Sequence, residues 1–430
     1  MHSPPSPSSA AGTRLRAAAE PVVDRFLRYV RINTQSCDGA PAVPSTPGQW
    51  TLARLLADEL RGLGACDVRL SETCTVYARI PGNLPDARPV PCVGLLAHLD
   101  TSPAVSGEAV TPIVHAGYSG SDIVLPGNPG EVIRVSQNPI LREMVGDDVI
   151  TTDGTSLLGS DDKAGLAAIM TLVDLLARNP DIPHGPIAVA FTPDEEVGIG
   201  IDQFDVEGFG AAFAYTVDGD ALGEINHETW SARAATIAVR GVSAHPGAAK
   251  GVMVNALYAV AALLARIPVS IRPEATEGRE GFIHPYAGVL DCETSVIKML
   301  LRDFDVAALD AKEALLRRLA AEVADAHPGT QVTVDVVDQY RNMNEVLAGR
   351  PELVDYALEA ARRAGLDART RPIRGGTDGA KLTFRGLPCP NIFTGGFNFH
   401  SRQEFNSRRG LEQTTDTLVH LVQVIAERAV

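Results

Sequence analysis

What this chain lacks narrows its class before any motif is read. No apolar run approaches the ~20 residues needed to cross a bilayer. The six cysteines (Cys37, Cys66, Cys74, Cys92, Cys292, Cys389) are scattered and form no CxxC pair. Neither a zinc knuckle nor a disulfide framework is indicated, and a reducing cytosol fits best. Basic excess is missing as well: the net charge of −15 disfavours nucleic acid or an anionic membrane as a partner, since both need a basic face. The opening residues, Met1-His2-Ser3-Pro4-Pro5-Ser6-Pro7, have no basic region followed by an apolar one. Residues 1–19 are therefore expected to form a disordered tail rather than a secretory signal, and the expected location is the cytoplasm. No GxSxG elbow and no internal repeat are present.

What is present is ordinary globular composition, with 45% hydrophobic residues over 430 positions, enough for one large core or two domains. One stretch stands out. Ile187-Ala188-Val189-Ala190-Phe191 reads as a buried parallel strand, and Thr192-Pro193-Asp194-Glu195-Glu196-Val197-Gly198 follows it. Proline and glycine stop the strand, so three carboxylates stand at its C-terminal end, where ligands collect in open α/β sheets. Adjacent carboxylates repel unless a cation or a proton sits among them. An acidic surface turn is the plainer alternative.

Helical spacing of apolar residues predicts helices over Glu20–Arg31 and Trp50–Leu63, and strands over Thr75–Ile80 and Val90–Ala97. The second strand ends in His98-Leu99-Asp100, another ionisable cluster. Residues 104–150 are loop-rich and read as an insertion over the sheet. Leu158-Gly159-Ser160-Asp161-Asp162 then leads into a helix, which places Asp161 and Asp162 at its N-terminus, where exposed N–H groups and the dipole favour carboxylates. A further strand over Ala211–Val217 ends in Asp218. From about residue 229 the order becomes β-α-β-β-α-β (Ala234–Arg240, Val252–Arg266, Tyr286–Cys292, Ser295–Arg302, Val306–Ala326, Gln331–Asp338), the ferredoxin-like unit. A helix over Pro351–Ala364, a glycine-rich stretch from Arg374 to Gly379, a strand over Asn391–Thr394, His400 in a second glycine-rich loop and a helix from Leu411 close the chain.

His98, Asp161, Glu196, Asp218 and His400 are imidazole and carboxylate groups of the kind that bind Zn²⁺ or a similar divalent ion. Taken singly each has a plainer reading: Asp161 can cap its helix, and Asp218 can be a turn residue. Several at the strand ends of one sheet are harder to dismiss.

The set HLDTSP, LLGSDDKAG, TPDEEVG, VDG, GVSAHPGAAKGVMVNA, RGGTDGAKL and a late histidine resembles the M20 family of di-zinc metallopeptidases, from about Glu20 to the C-terminus. TEGREGFIHP and LRDFD are similar to its tripeptide aminopeptidase subfamily. The resemblance implies an α/β fold: a zinc-peptidase-like catalytic domain with a mixed sheet flanked by helices (1–228 and 346–430) and an inserted ferredoxin-like α+β lid (229–345). It implies two Zn²⁺ per subunit, with Co²⁺ or Mn²⁺ as substitutes. Asp161 would bridge them, His98 and Asp218 would complete one site, and Glu196 and His400 the other. Asp100 would orient His98, Glu195 would be the general base, and the Asp161–Asp162 peptide would be cis. His245, Asn342 and Arg374 would bind substrate, a short peptide with a free N-terminus, with no nucleic acid or membrane partner. A homodimer through the lid is permitted.

One departure stands out. The subfamily usually reads HGKHEF after the metal histidine, whereas this chain reads His400-Ser401-Arg402-Gln403-Glu404-Phe405, which bears on fine substrate preference. Two rivals stay open: another M20 amidohydrolase or carboxypeptidase sharing every metal residue, and a non-catalytic metal- or peptide-binding relative.

Overall fold

The structure, a computed structural model, describes residues 16–85 and 90–428. Residues 1–15 of the expected tail lie outside the described residues. Its last residues are pinned rather than disordered: the Arg16 backbone N–H donates to Asn179 Oδ1 (2.6 Å) and that of Ala19 to Asp174 Oδ2 (2.8 Å). The chain folds as two compact units, Met1–Val197 with Thr394–Val430, and Gly198–Phe393. Among the described residues no helix is long and apolar enough to cross a membrane.

The first unit is built on strands Cys66–Leu70, Val76–Ile80, Ile187–Thr192 and Val93–His98, neighbours in that order. The first three pair antiparallel, and the last two run parallel in the register Val93↔Ile187 to His98↔Thr192. Both parallel strands are buried along their whole length, which is why they read as continuous apolar runs. The register brings His98 and the end of the Ile187 strand to the same level. Helix Ser160–Arg178 packs on strand Val93–His98 and against the C-terminal helix Arg408–Arg428, burying Leu166, Ile169, Met170 and Val173. The Asp161–Asp162 peptide is cis, and both residues have non-helical backbone angles, so the regular helix starts after Asp162.

Residues 104–150 carry more structure than a loop-rich insertion. Ile113–His115 and Phe405–Ser407 flank Val149–Thr151 in a small sheet, and Ile123–Val124 pairs with Val132–Ile133. Tyr118, Leu125, Ile133, Leu141 and Phe405 form a core beneath them. Strands of two or three residues are too short for alternation to reveal.

In the second unit, Asn391–Phe393 lies parallel to Phe213–Gly219 and antiparallel to Glu224–Asn226. Strand Phe213–Gly219 starts and ends two residues later than expected, so Asp218 is its penultimate residue rather than part of a turn. The unit also holds the ferredoxin-like element, a four-stranded antiparallel sheet in the order Phe282–Val289, Thr294–Asp303, Ser231–Arg240, Gln331–Tyr340. Helices Ala256–Arg266 and Val306–Ala326 cover one face, over a core of Ile237, Val239, Val260, Leu263, Met299, Leu316 and Val323. The strand expected over Tyr286–Cys292 starts at Phe282 and contains Pro285. It is an edge strand with a register shift at Pro285/Ala287, where a missing N–H costs little. A further helix, Asp378–Phe384, was hidden by its glycine-rich approach and is capped by Thr377, whose side chain accepts from the Ala380 N–H.

Candidate metal centre

His98 ends a buried strand with its imidazole 2% exposed. Its Nδ1 lies 3.0 Å from the Asp100 carbonyl oxygen and 3.3 Å from Asp100 Oδ1. A carbonyl oxygen only accepts, so a proton on Nδ1 satisfies this contact and Nε2 is the nitrogen turned the other way. That Nε2 faces Asp161 Oδ1 at 2.8 Å. Asp100 is fully buried and does a second job: its carboxylate accepts the backbone N–H groups of Glu195 (3.0 Å) and Glu196 (3.2 Å). One carboxylate thus fixes both the histidine ring and the acidic turn.

The two neighbouring aspartates at the helix start divide their work. Asp162 is the cap: Oδ1 accepts from the Gly165 N–H and Oδ2 from the His98 N–H, each at 3.1 Å. Asp161 faces the histidines instead, with Oδ2 lying 3.1 Å from His400 Nε2. His400 Nε2 is also 2.8 Å from Glu196 Oε2. Asp161, Glu196 and His400 therefore converge, their ligand atoms all within 4.8 Å of one another.

The electrostatics of this cluster call for a cation. Burial opposes the Asp161 carboxylate, yet His400 and His98 hold its pKa well below the usual carboxylate range. Burial first, then the Asp161 charge, pushes Glu196 up to about 7. Burial opposes protonation of His400, but the Asp161 and Glu196 carboxylates outweigh it and push that pKa up to about 11. Among the described residues, Glu196 Oε1 is buried with no hydrogen-bond partner, an expensive orphan for an ionised group. Imidazole nitrogens aimed at shared carboxylates, together with that orphaned oxygen, fit a divalent ion with mixed N and O ligands. His400 is 48% exposed, which leaves one side of the centre open.

Asp194 ties the turn down. With φ of +51° it accepts from the Ser45 N–H (2.6 Å), Ser45 Oγ (2.5 Å) and Gln49 Nε2 (2.6 Å). Glu404 escaped sequence reasoning altogether. It is 1% exposed, and its carboxylate accepts the N–H groups of Leu158 (2.8 Å), Gly159 (2.8 Å) and Asp161 (3.0 Å). Burial pushes its pKa up to about 7 in spite of those donors. A glutamate between two polar residues and a buried phenylalanine, in the loop after a candidate ligand, was the available signal. Glu404→Ala is expected to strand three buried donors and cost about 2–4 kcal/mol of stability, read as a lower urea midpoint. A midpoint within experimental error of the wild type would remove Glu404 from this role.

Residues 158–424 match the family described as peptidase family M20/M25/M40. The chain belongs to that family. Proteins named peptidase T from Salmonella newport and Salmonella typhimurium are each 44% identical over 408 residues, covering 95% of this chain and 99% of theirs. Among solved structures, a tripeptidase from Staphylococcus aureus superposes with a TM-score of 0.73 at 21% identity, over 95% of this chain and 98% of that one. A dinuclear metal-binding peptidase of the M20 family from Bacillus subtilis gives a TM-score of 0.63 at 14% identity, over 94% and 98%. M20/M25/M40 membership makes the chain a hydrolytic enzyme of the peptidase class, and its fold class is the one expected.

The other expected M20 residues lie in the second unit. Asp218 is half-buried near the end of its strand, where its N–H donates to Asn391 Oδ1 at 3.2 Å. His245 is exposed, and its Nδ1 accepts from the Gly247 N–H in a local turn (3.2 Å). Arg374 stacks 4.9 Å from the Trp230 ring centre and donates to Gly278 O and to Thr276. Asn342 is 5% exposed with its carboxamide fully engaged. Oδ1 accepts from Thr229 and Asn344, and Nδ2 donates to Glu228 and Phe304 O. Its evident work is to hold the start of the ferredoxin-like element.

Proposed function

We propose that the chain is a tripeptide aminopeptidase, dependent on two zinc ions, that releases the N-terminal residue from short peptides. The observation that carries the reading is Asp161, placed between the Nε2 atoms of His98 and His400 beside an orphaned Glu196 oxygen. The peptidase T relatives, alike over almost their whole length, and the tripeptidase from Staphylococcus aureus support that substrate class. Asp161 is proposed as the shared ligand, with His98 and Asp218 on one ion and Glu196 and His400 on the other. Bound there, the ions supply Lewis acidity toward the scissile carbonyl and lower the pKa of a water.

The chain's own residues do the rest. Asp100 keeps the proton on His98 Nδ1 and fixes the ring, the supporting role that metal-binding histidines need. Glu195 receives the proton of the attacking water and passes it to the leaving amine, so no covalent intermediate is needed. Its backbone is set by Asp100 and by the Asp194 anchor on the preceding residue. Arg374 and His245 are proposed to serve the far end of the peptide, Arg374 through the bidentate geometry that suits a carboxylate. The lid boundaries remain proposed at about 229 and 345. Tyr286 (51% exposed), Val289 (73%) and Val337 (65%), on the edge strands of the four-stranded sheet, support pairing of two copies there.

The test is a substrate panel on zinc-loaded protein: trialanine, its N-acetyl derivative and dialanine. Trialanine is expected to be cleaved at least tenfold faster than either of the others. Equal cleavage of the acetylated peptide sinks the aminopeptidase reading and favours an amidohydrolase or carboxypeptidase. No turnover on any peptide favours a binding relative.

A further inference from the structure

A cavity of about 550 Å³ adjoins the candidate metal centre, with His400 in its wall. That volume lies within the roughly 300–1,000 Å³ typical of small-ligand sites. Its wall is formed by the loop that departs from the subfamily pattern, Ser401-Arg402-Gln403, facing Glu131 and Val105 from the first half of the same unit. Glu131 is its one acidic residue and Arg402 its one permanent cation.

Glu131 is held in place. It stands at the base of the hairpin formed by Ile123–Val124 and Val132–Ile133: its N–H donates to Asn128 O (2.8 Å), and its carbonyl accepts from the Leu125 N–H (3.1 Å). The carboxylate accepts from Gln403 Nε2 at 2.8 Å. An ionised carboxylate offers about four lone-pair sites, so one amide donor leaves room for a cationic one. Among the described residues no lysine or arginine pairs with it, although Arg402 shares the wall.

The other carboxylates around the centre have work of their own, Glu195 as the proposed base and Asp218 as a proposed ligand among them. Asp100 accepts the backbone of residues 195 and 196, Asp162 caps its helix, Asp194 holds Ser45 and Gln49, and Glu404 holds the Leu158–Asp161 turn. Asp161 and Glu196 face the histidines. A peptide's α-amino group has a pKa near 7.7–8.0 and is largely protonated at neutral pH, so an enzyme that selects it needs a spare anion beside the reacting centre. Glu131 is the spare anion. Arg402 in the same wall offsets the Glu131 charge, so the site does not present an unbalanced anion to cationic ligands in general.

We propose that this cavity receives the N-terminal residue of the peptide, with the Glu131 carboxylate pairing with its α-ammonium. Gln403 orients that carboxylate, which gives the departed loop a specific task. The proposal rests on the aminopeptidase reading and extends it by naming the group that reads the free N-terminus.

The test compares wild type and Glu131→Gln, both zinc-loaded, on trialanine, with the des-amino analogue propionyl-alanyl-alanine as substrate and competitive inhibitor. Glu131→Gln is expected to lower kcat/KM for trialanine roughly 10- to 100-fold, mainly through KM. Inhibition by the analogue, which has no ammonium, should change by less than about threefold, and zinc content should stay at the wild-type level. Glu131→Asp should recover part of the loss. An unchanged kcat/KM for trialanine overturns the assignment. So does a fall shared equally by analogue binding or zinc content, which marks a structural role. The aminopeptidase reading is judged separately on the wild type: cleavage of propionyl-alanyl-alanine as fast as trialanine defeats that reading, whereas strong discrimination that persists in Glu131→Gln defeats the Glu131 pairing alone.

Discussion

Glu195→Gln is expected to lower kcat on trialanine by roughly 10²- to 10⁴-fold while metal content and thermal midpoint stay at wild-type values. The backbone of the turn that carries the residue is held by other side chains. The N–H groups of residues 195 and 196 are held by Asp100, and residue 194 is anchored to Ser45 and Gln49. Glutamine matches the glutamate in size but cannot take up a proton near neutral pH, so the substitution removes the acid–base function and little else. Glu196→Gln, one position on, should behave differently. Its Oε2 lies 2.8 Å from His400 Nε2 and its Oε1 is the buried orphan, so that variant should lose metal along with activity. Measuring kcat and bound metal for both variants separates the two roles. Normal turnover in Glu195→Gln would end its claim as the base.

The acidic turn itself was legible in the sequence because the chemistry is local: a strand, a proline stop and three carboxylates in a row. The division of work between Glu195 and Glu196 came only from the M20 resemblance and stays a proposal. Adjacent aspartates were harder. Both Asp161 and Asp162 look like caps on paper, and only the fold shows that Asp162 takes the Gly165 N–H while Asp161 faces His98 and His400. The remaining omissions share one physical cause, contacts made far apart along the chain. Asp194 meets Ser45 across 149 residues, and Glu404 meets Leu158 across 246. Periodicity carries no information at such separations. The β-α-β-β-α-β order was legible because its strands and helices are long enough for burial to alternate, as Ala235, Ile237 and Val239 do along their strand. The two- and three-residue strands of the 104–150 region offer no such signal. Asn342 was singled out for substrate, yet the fold gives it four hydrogen-bonding partners within the protein.

Removing divalent metal with a chelator, followed by dialysis, is expected to abolish turnover and lower the thermal midpoint. Zn²⁺ should restore both, and Co²⁺ or Mn²⁺ should restore activity in part. The stability effect follows from the charge arrangement: without a cation, Asp161 and Glu196 stand close together against the imidazoles of His98 and His400, and among the described residues one Glu196 oxygen is buried without a partner. A ligand bound only by the folded state adds stability with its concentration, about 4 kcal/mol at a thousand times its dissociation constant. Stoichiometry distinguishes a bridged pair from a single site. Asp161 touches both histidines, so Asp161→Ala should lose both ions, whereas His400→Ala, which strips one imidazole from the Glu196 side, should lose one. Metal counted per chain, beside the midpoint, gives the answer. Two ions retained in Asp161→Ala would mean that the shared carboxylate is not the hinge of the centre, and full activity in chelated, metal-free protein would mean that the centre is not the catalyst.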